Sequence, residues 1–232
     1  MGAFSPQEWT AILLSLRVAS VATAASLPLG IALGWLLARC RFPGKSLLDG
    51  VVHLPLVMPP VVTGYLLLLT FGRKGVLGGF LDHCCGIVFS FRWTGAALAA
   101  AVMGLPLMVR AIRLTIEAMD RRLEQAAATL GAHPVAVFLT LTLPLAAPGI
   151  LAGAILSFAK SLGEFGATIT FVSNIPGETQ TIPSAIYAYI QTPGGDFDAL
   201  RLTAVSIAIS MMALIVSEVL ARRLNQRAAG FT

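Results

Sequence analysis

Lys160 and Glu164 are the residues whose spacing first suggests chemistry, because they interrupt a long apolar region. Four positions apart, they share one face of a helix and can form an ion pair. Charges inside an apolar span are costly unless they face a bundle interior or a water-filled cavity. The pair therefore reads as a gate or lining for an anion path, with Lys160 supplying positive potential, or as a structural ion pair near a membrane interface. An ion relay in a stand-alone secondary anion transporter would use the same two side chains.

Other residues narrow the chemistry by what they lack. Gly44-Lys45-Ser46 imitates the end of a phosphate-binding loop, but the second glycine such a loop needs falls on Arg39. The chain thus carries no nucleotide-binding loop of its own, and any ATPase must be a separate subunit. Cys40, Cys84 and Cys85 match neither a zinc site nor a disulfide framework, and His53 has no ligand-spaced partner. No catalytic residue, metal ligand or bound cofactor is expected. Pro55, Pro59 and Pro60 interrupt an apolar run, where each removes a helix donor. They should kink or partly unwind it and free backbone groups near a translocation path. Pro59 and Pro60 join Lys160 and Glu164 as the candidate path or gate.

A different pattern lies in Leu123-Glu124-Gln125-Ala126-Ala127-Ala128-Thr129-Leu130-Gly131, followed by Leu141-Thr142-Leu143-Pro144. It predicts a short helix with a small-residue face, a glycine where the chain turns, and a proline starting the next helix. A helix of this kind can fill a groove in a soluble partner.

The elements that hold these residues follow from composition. The chain has 232 residues, 56% hydrophobic and only 12% charged, with a mean hydropathy of +0.83. Soluble domains carry about a quarter charged residues; half that fraction suits a bilayer as solvent. The net charge of +5 forms no basic stripe, so nucleic acid is not an expected partner. Ala22-Thr23-Ala24 imitates a signal cleavage site, but the uncharged run over 18–38 is too long for a signal peptide and ends in Arg39, Arg41 and Lys45. It reads as a retained span.

Uncharged runs predict an all-α integral membrane protein with a single domain over 1–232 and five spans, roughly 10–38, 50–72, 93–116, 143–172 and 199–221. The stretch over 125–159 is uncharged too, yet His133-Pro134, Pro144 and Pro148 interrupt it. It divides into a loop over 120–143, holding a short helix before Gly131 and another near 135–142, and then a span. Segments 39–49, 110–143 and 218–232 hold ten basic residues, against four in the segments between the other span ends. The positive-inside rule puts the richer face in the cytoplasm, giving N-terminus out and C-terminus in. Residues 72–91 read as a loop or re-entrant segment, and 173–197 as an outer loop with a short helix near 183–190.

The loop resembles the EAA loop of the binding-protein-dependent ABC importer permeases. Gln125-Ala126-Ala127 takes the triplet, Gly131 the glycine, Leu141 the aliphatic position and Leu143-Pro144 the end. The departure is Gln125 where that family has Glu, with Glu124 one place earlier. Phe42-Pro43-Gly44-Lys45, the run from His53 to Val62, Ser161-Leu162-Gly163-Glu164-Phe165-Gly166-Ala167-Thr168 and Asn174-Ile175-Pro176-Gly177-Glu178-Thr179 look like the molybdate branch, with the sulfate permeases as close relatives and a sulfate or tungstate permease as the alternative reading. The resemblance implies ATPase coupling through Glu124, Gln125, Ala126, Ala127, Gly131, Leu143 and Pro144. It also implies a homodimer in the bacterial inner membrane, cytoplasmic ABC ATPases carrying ATP-Mg, and a periplasmic or extracellular oxyanion-binding protein. A non-transporting scaffold is the reading it disfavours.

Overall fold

The computed structural model describes residues 4–229, and no strand occurs among them. Helix α1 (Pro6–Arg39) starts from a capping box in which Ser5 Oγ accepts the Glu8 N–H and Glu8 accepts the Ser5 N–H. Pro6, already fixed at a helical φ, opens the first turn.

The run expected as one span over 50–72 divides into α2 (Lys45–Val57) and α3 (Pro60–Phe71), whose axes differ by 115°. The cause is Pro59-Pro60. A proline drives the residue before it out of the helical region, and Met58 (ψ 147°) and Pro59 (ψ 133°) are both extended. Pro55 sits inside α2 without ending it. The expected kink is therefore a sharp corner.

Helix α4 (Val76–Cys85) occupies part of the segment expected as loop or re-entrant. Its ten residues fall short of the roughly 20 needed to cross a bilayer. After α5 (Trp93–Ala118) come α6 (Arg121–Thr129) and α7 (Pro134–Val137). The second short helix expected near 135–142 is not separate. From Pro134 the chain continues through a π-helical turn (Phe138–Thr142) into α8 (Leu143–Leu162), one helical stretch of 29 residues. Pro144 stands in the first turn of α8, as expected, but a π-helical turn joins α8 to α7 without a break. That turn uses the wider register, with the Leu143 N–H donating to the Phe138 carbonyl, and this lets the chain pass the proline.

The span expected to run to 172 breaks at Gly163 and resumes as α9 (Gly166–Val172). A short α10 (Ile182–Ile190) fills the outer loop as expected, and α11 (Asp196–Ala229) closes the chain. The side chains of Arg222, Arg223 and Arg227, which contribute to the charge asymmetry, lie outside the described residues.

Helix α5 is the centre of the bundle. Of its most apolar window 61% is buried, against 33% for α1. Small residues on its neighbours set the distance. A Cβ at Gly34 of α1 would lie 2.8 Å from the Ile112 side chain, and one at Gly153 of α8 would lie 2.9 Å from the Met108 carbonyl oxygen. Gly30 and Gly34 of α1 and Gly149 and Gly153 of α8 thus let both helices approach α5 closely, and α1 and α8 also pack against each other. At the end where α1 and α11 begin, buried Glu8 pairs with Arg201, which also reaches Asp198 at 3.1 Å. Nearby, the Arg17 guanidinium stacks 3.7 Å from the Trp93 ring centroid.

Among the described residues, four helical stretches are long and apolar enough to cross a membrane, or five if the bent α2–α3 pair is one crossing. Large apolar side chains such as Val57, Tyr65, Leu69, Met211 and Ile215 are exposed on their surfaces, as expected where lipid or another membrane segment is the neighbour.

Candidate functional site

At the end of the bundle where α1 stops, α6 stands proud of the packed helices. Asp120 caps it, accepting the Arg122 N–H at 2.9 Å. The helix ends at Thr129 with Leu130 as its cap, and Gly131 turns the chain with φ +81°. That left-handed conformation suits glycine, and the Gly131 and Ala132 N–H groups return to the Ala128 and Ala127 carbonyls. His133 and Pro134 then start the next helix. Every residue of α6 is at least partly exposed; Gln125, Ala126 and Leu130 face outward, Leu130 at 89% exposure.

Glu124 turns the other way. Its carboxylate accepts from Arg39 Nε at 3.1 Å and from the Thr142 hydroxyl at 3.0 Å. Arg39 also donates to the Met119 carbonyl, and Arg121 donates to the Ala38 carbonyl. The acidic residue next to the triplet therefore binds within the chain, while Gln125 occupies the outward position. Sequence reasoning missed Arg39 and Thr142 as members of this group. Arg39 lies 85 positions from Glu124, and nothing in the sequence links the two. Leu143 is half-buried and Pro144 exposed, both on the α7–α8 stretch that leaves the hairpin.

The second group of expected residues also comes together. Lys160 Nζ lies 2.7 Å from Glu164 Oε2, and Glu164 Oε1 accepts the Ala167 N–H at 3.0 Å. Glu164 is 3% exposed, so its carboxylate joins the end of α8 to the first turn of α9. Helix α9 in turn packs on α3. A Cβ at Gly166 would sit 2.7 Å from Pro60, and one at Gly64 would sit 2.5 Å from the Ala167 carbonyl oxygen. The Pro59-Pro60 corner and the break after Gly163 thus meet, two helix interruptions side by side.

A third polar group joins α2 to α5, and the sequence did not suggest it. Asp49 Oδ1 accepts from Arg113 at 2.9 Å, and Arg113 Nε reaches Glu117 at 2.8 Å. His53 bonds back to the Asp49 carbonyl and carboxylate on its own helix, which gives it the structural role its isolation suggested. What the arrangement offers is an outward helix on a polar mount, and two helix interruptions side by side with an ion pair at one of them.

Comparisons with known proteins agree with this shape. The family described as "Binding-protein-dependent transport system inner membrane component" matches residues 28–230. The Escherichia coli (strain K12) molybdenum transport system permease protein ModB is 63% identical over 221 residues, covering 95% of this chain and 96% of that protein. The Haemophilus influenzae protein of the same description is 57% identical, covering 95% and 96%. Among solved structures, a bacterial ABC transporter involved in the import of the acidic polysaccharide alginate matches with a TM-score of 0.74 at 17% identity, covering 95% of this chain and 80% of that one.

Proposed function

The chain belongs to the family of binding-protein-dependent transport system inner membrane components, and from that premise we propose that it is the permease subunit of an ATP-driven molybdate importer. The observation that carries the coupling half of this reading is the mount of α6, whose Gln125, Ala126 and Leu130 project outward while Glu124 anchors it. The relatives named for molybdenum transport support the choice of anion.

In this reading the chain works as a homodimer, with two copies of a separate cytoplasmic ATPase holding ATP-Mg. A periplasmic or extracellular binding protein delivers the oxyanion. The chain spans the bacterial inner membrane five times, by α1, the bent α2–α3 pair, α5, the stretch from α7 to α9, and α11. The ten-to-four basic asymmetry supports N-terminus out and C-terminus in. Residues Glu124, Gln125, Ala126, Ala127 and Gly131, with Leu143 and Pro144 beyond, form the coupling element that fills the ATPase groove. ATP binding and hydrolysis move that helix, and the bundle alternates between outward and inward openings according to differential binding energy.

The path runs where the two helix interruptions meet. Non-helical backbone at membrane depth is tolerated where it is buried in protein or lines a water-filled cavity, and Pro59-Pro60 and the Gly163 break supply such backbone. Lys160, with its side chain 30% exposed, provides positive potential there and Glu164 holds it in place. Complex formation tests the reading. The wild-type chain should co-purify with its ATPase, whose hydrolysis should rise with molybdate-loaded binding protein. Gly131→Trp should insert normally but lose the ATPase, because a bulky residue at φ +81° distorts the turn behind the docking helix. Undiminished co-purification of that variant would overturn the coupling assignment.

A further inference from the structure

We propose that Arg39 is a positioning residue that locks α6 to the end of α1, so that α1 and α8 move with the coupling helix as one body. The inference rests on reading α6 as the ATPase-coupling helix.

Packing alone does not hold α6. None of its residues is buried, and a cavity of about 200 Å³ lies behind it, lined in part by Trp35, Arg39, Glu124, Phe138 and Thr142. A helix over such a space can rock unless polar bonds hold it. Those bonds are present and cross-linked. Glu124 takes one donor from α1, Arg39, and one from the π-helical turn leading into α8, Thr142. Arg39 and Arg121 each reach the other segment's backbone, at the Met119 and Ala38 carbonyls. The Arg39 side chain is only 8% exposed, so its bonds are shielded from competing water, and charge-assisted bonds are the stronger kind.

The connectivity gives the clamp its consequence. Helix α8 is covalently continuous with the hairpin through α7, but α1 is 80 residues or more away in sequence from the groups it touches there. The clamp supplies side-chain tethers by which a push on α6 reaches α1 directly. Since α1 and α8 pack on α5 and on each other, driving both at once turns the three helices as a unit. Without the clamp, α6 can tilt into the cavity and part of the stroke is lost.

The test uses the complete complex of permease, ATPase and binding protein in proteoliposomes, with molybdate uptake and ATP hydrolysis measured together. Arg39→Ala should lower molybdate moved per ATP by about threefold or more, and Thr142→Val should lower it by less in the same direction. Arg39→Glu should be as impaired as Arg39→Ala, and adding Glu124→Arg should recover much of that loss, since the exchanged pair restores the tether. An unchanged ratio in both Arg39→Ala and Thr142→Val would overturn the clamp, as would an exchange no better than Arg39→Glu alone. So would failure of Arg39→Ala to insert, because a clamp outside the packed α1–α5–α8 layer is not required for insertion. If the wild-type complex shows no ATP-dependent uptake, the functional reading beneath the clamp fails and the clamp with it; ATP-driven uptake with unchanged variants removes the clamp alone.

Discussion

Glu164 uses its two carboxylate oxygens for different purposes, Oε2 for Lys160 and Oε1 for the Ala167 N–H that opens α9. The two uses separate on substitution. Glu164→Gln keeps an acceptor for Ala167 and loses the charge, which should cost about 1 kcal/mol. Glu164→Leu removes the cap as well and leaves Lys160 without its partner, for a loss of about 2–3 kcal/mol. Thermal unfolding of the detergent-solubilised protein should rank them in that order, and equal losses would contradict the capping role. The ion pair was legible in the sequence because its members are four residues apart. The cap was not, since it exists only because the helix breaks at Gly163, and nothing in an apolar run with one more glycine marks that break. Glu124 shows the same limit from the other side. Its place beside the triplet pointed outward to a partner, whereas its actual partners, Arg39 and Thr142, come from elements that only folding brings near.

Among the elements, the sequence located the apolar segments well and their interruptions unevenly. Uncharged runs revealed α1, α5 and α11, because lipid-facing and core-facing residues are both apolar and charges collect at span ends. Prolines were harder to weigh. Pro28, Pro106 and Pro148 stay inside helices, as does Pro55, whereas Pro59-Pro60 produces a 115° corner. Two consecutive prolines constrain two preceding residues at once, and that doubling marks the corner. At Pro144 a π-helical turn absorbs the mismatch instead, so a helix start expected near Leu143 moves back to Pro134. Helix packing itself can be tested through its glycines. Gly153→Leu should abolish recovery of monodisperse protein on size exclusion, because its Cβ would lie 2.9 Å from a backbone oxygen of α5 that cannot move aside. Gly50→Ala, with nothing within 4 Å of its Cβ, should be recovered normally. Equal yields would mean that close approach does not hold the α1–α5–α8 layer together.

At the scale of the whole molecule, the two ends of the bundle carry different groups. One end bears the Glu8–Arg201–Asp198 cluster; the other bears α6 and the Arg39–Glu124–Thr142 clamp. The proposed orientation puts the second end in the cytoplasm. Cys84 is exposed on α4 and Cys40 is half-buried at the end of α1, so single-cysteine variants retaining one or the other report opposite ends. A membrane-impermeant thiol reagent added to intact spheroplasts should label Cys84 and leave Cys40 unmodified until the membrane is opened. The reverse pattern would invert the topology and place α6 beyond the reach of any cytoplasmic ATPase. The central claim, that this chain is a passive path driven by a separate motor, is tested most directly by transport itself. The chain should be reconstituted in liposomes with its ATPase inside, the binding protein outside, and labelled molybdate outside. Accumulation that requires both partners and ceases without ATP is the predicted result; uptake by the chain alone, indifferent to ATP, would contradict it.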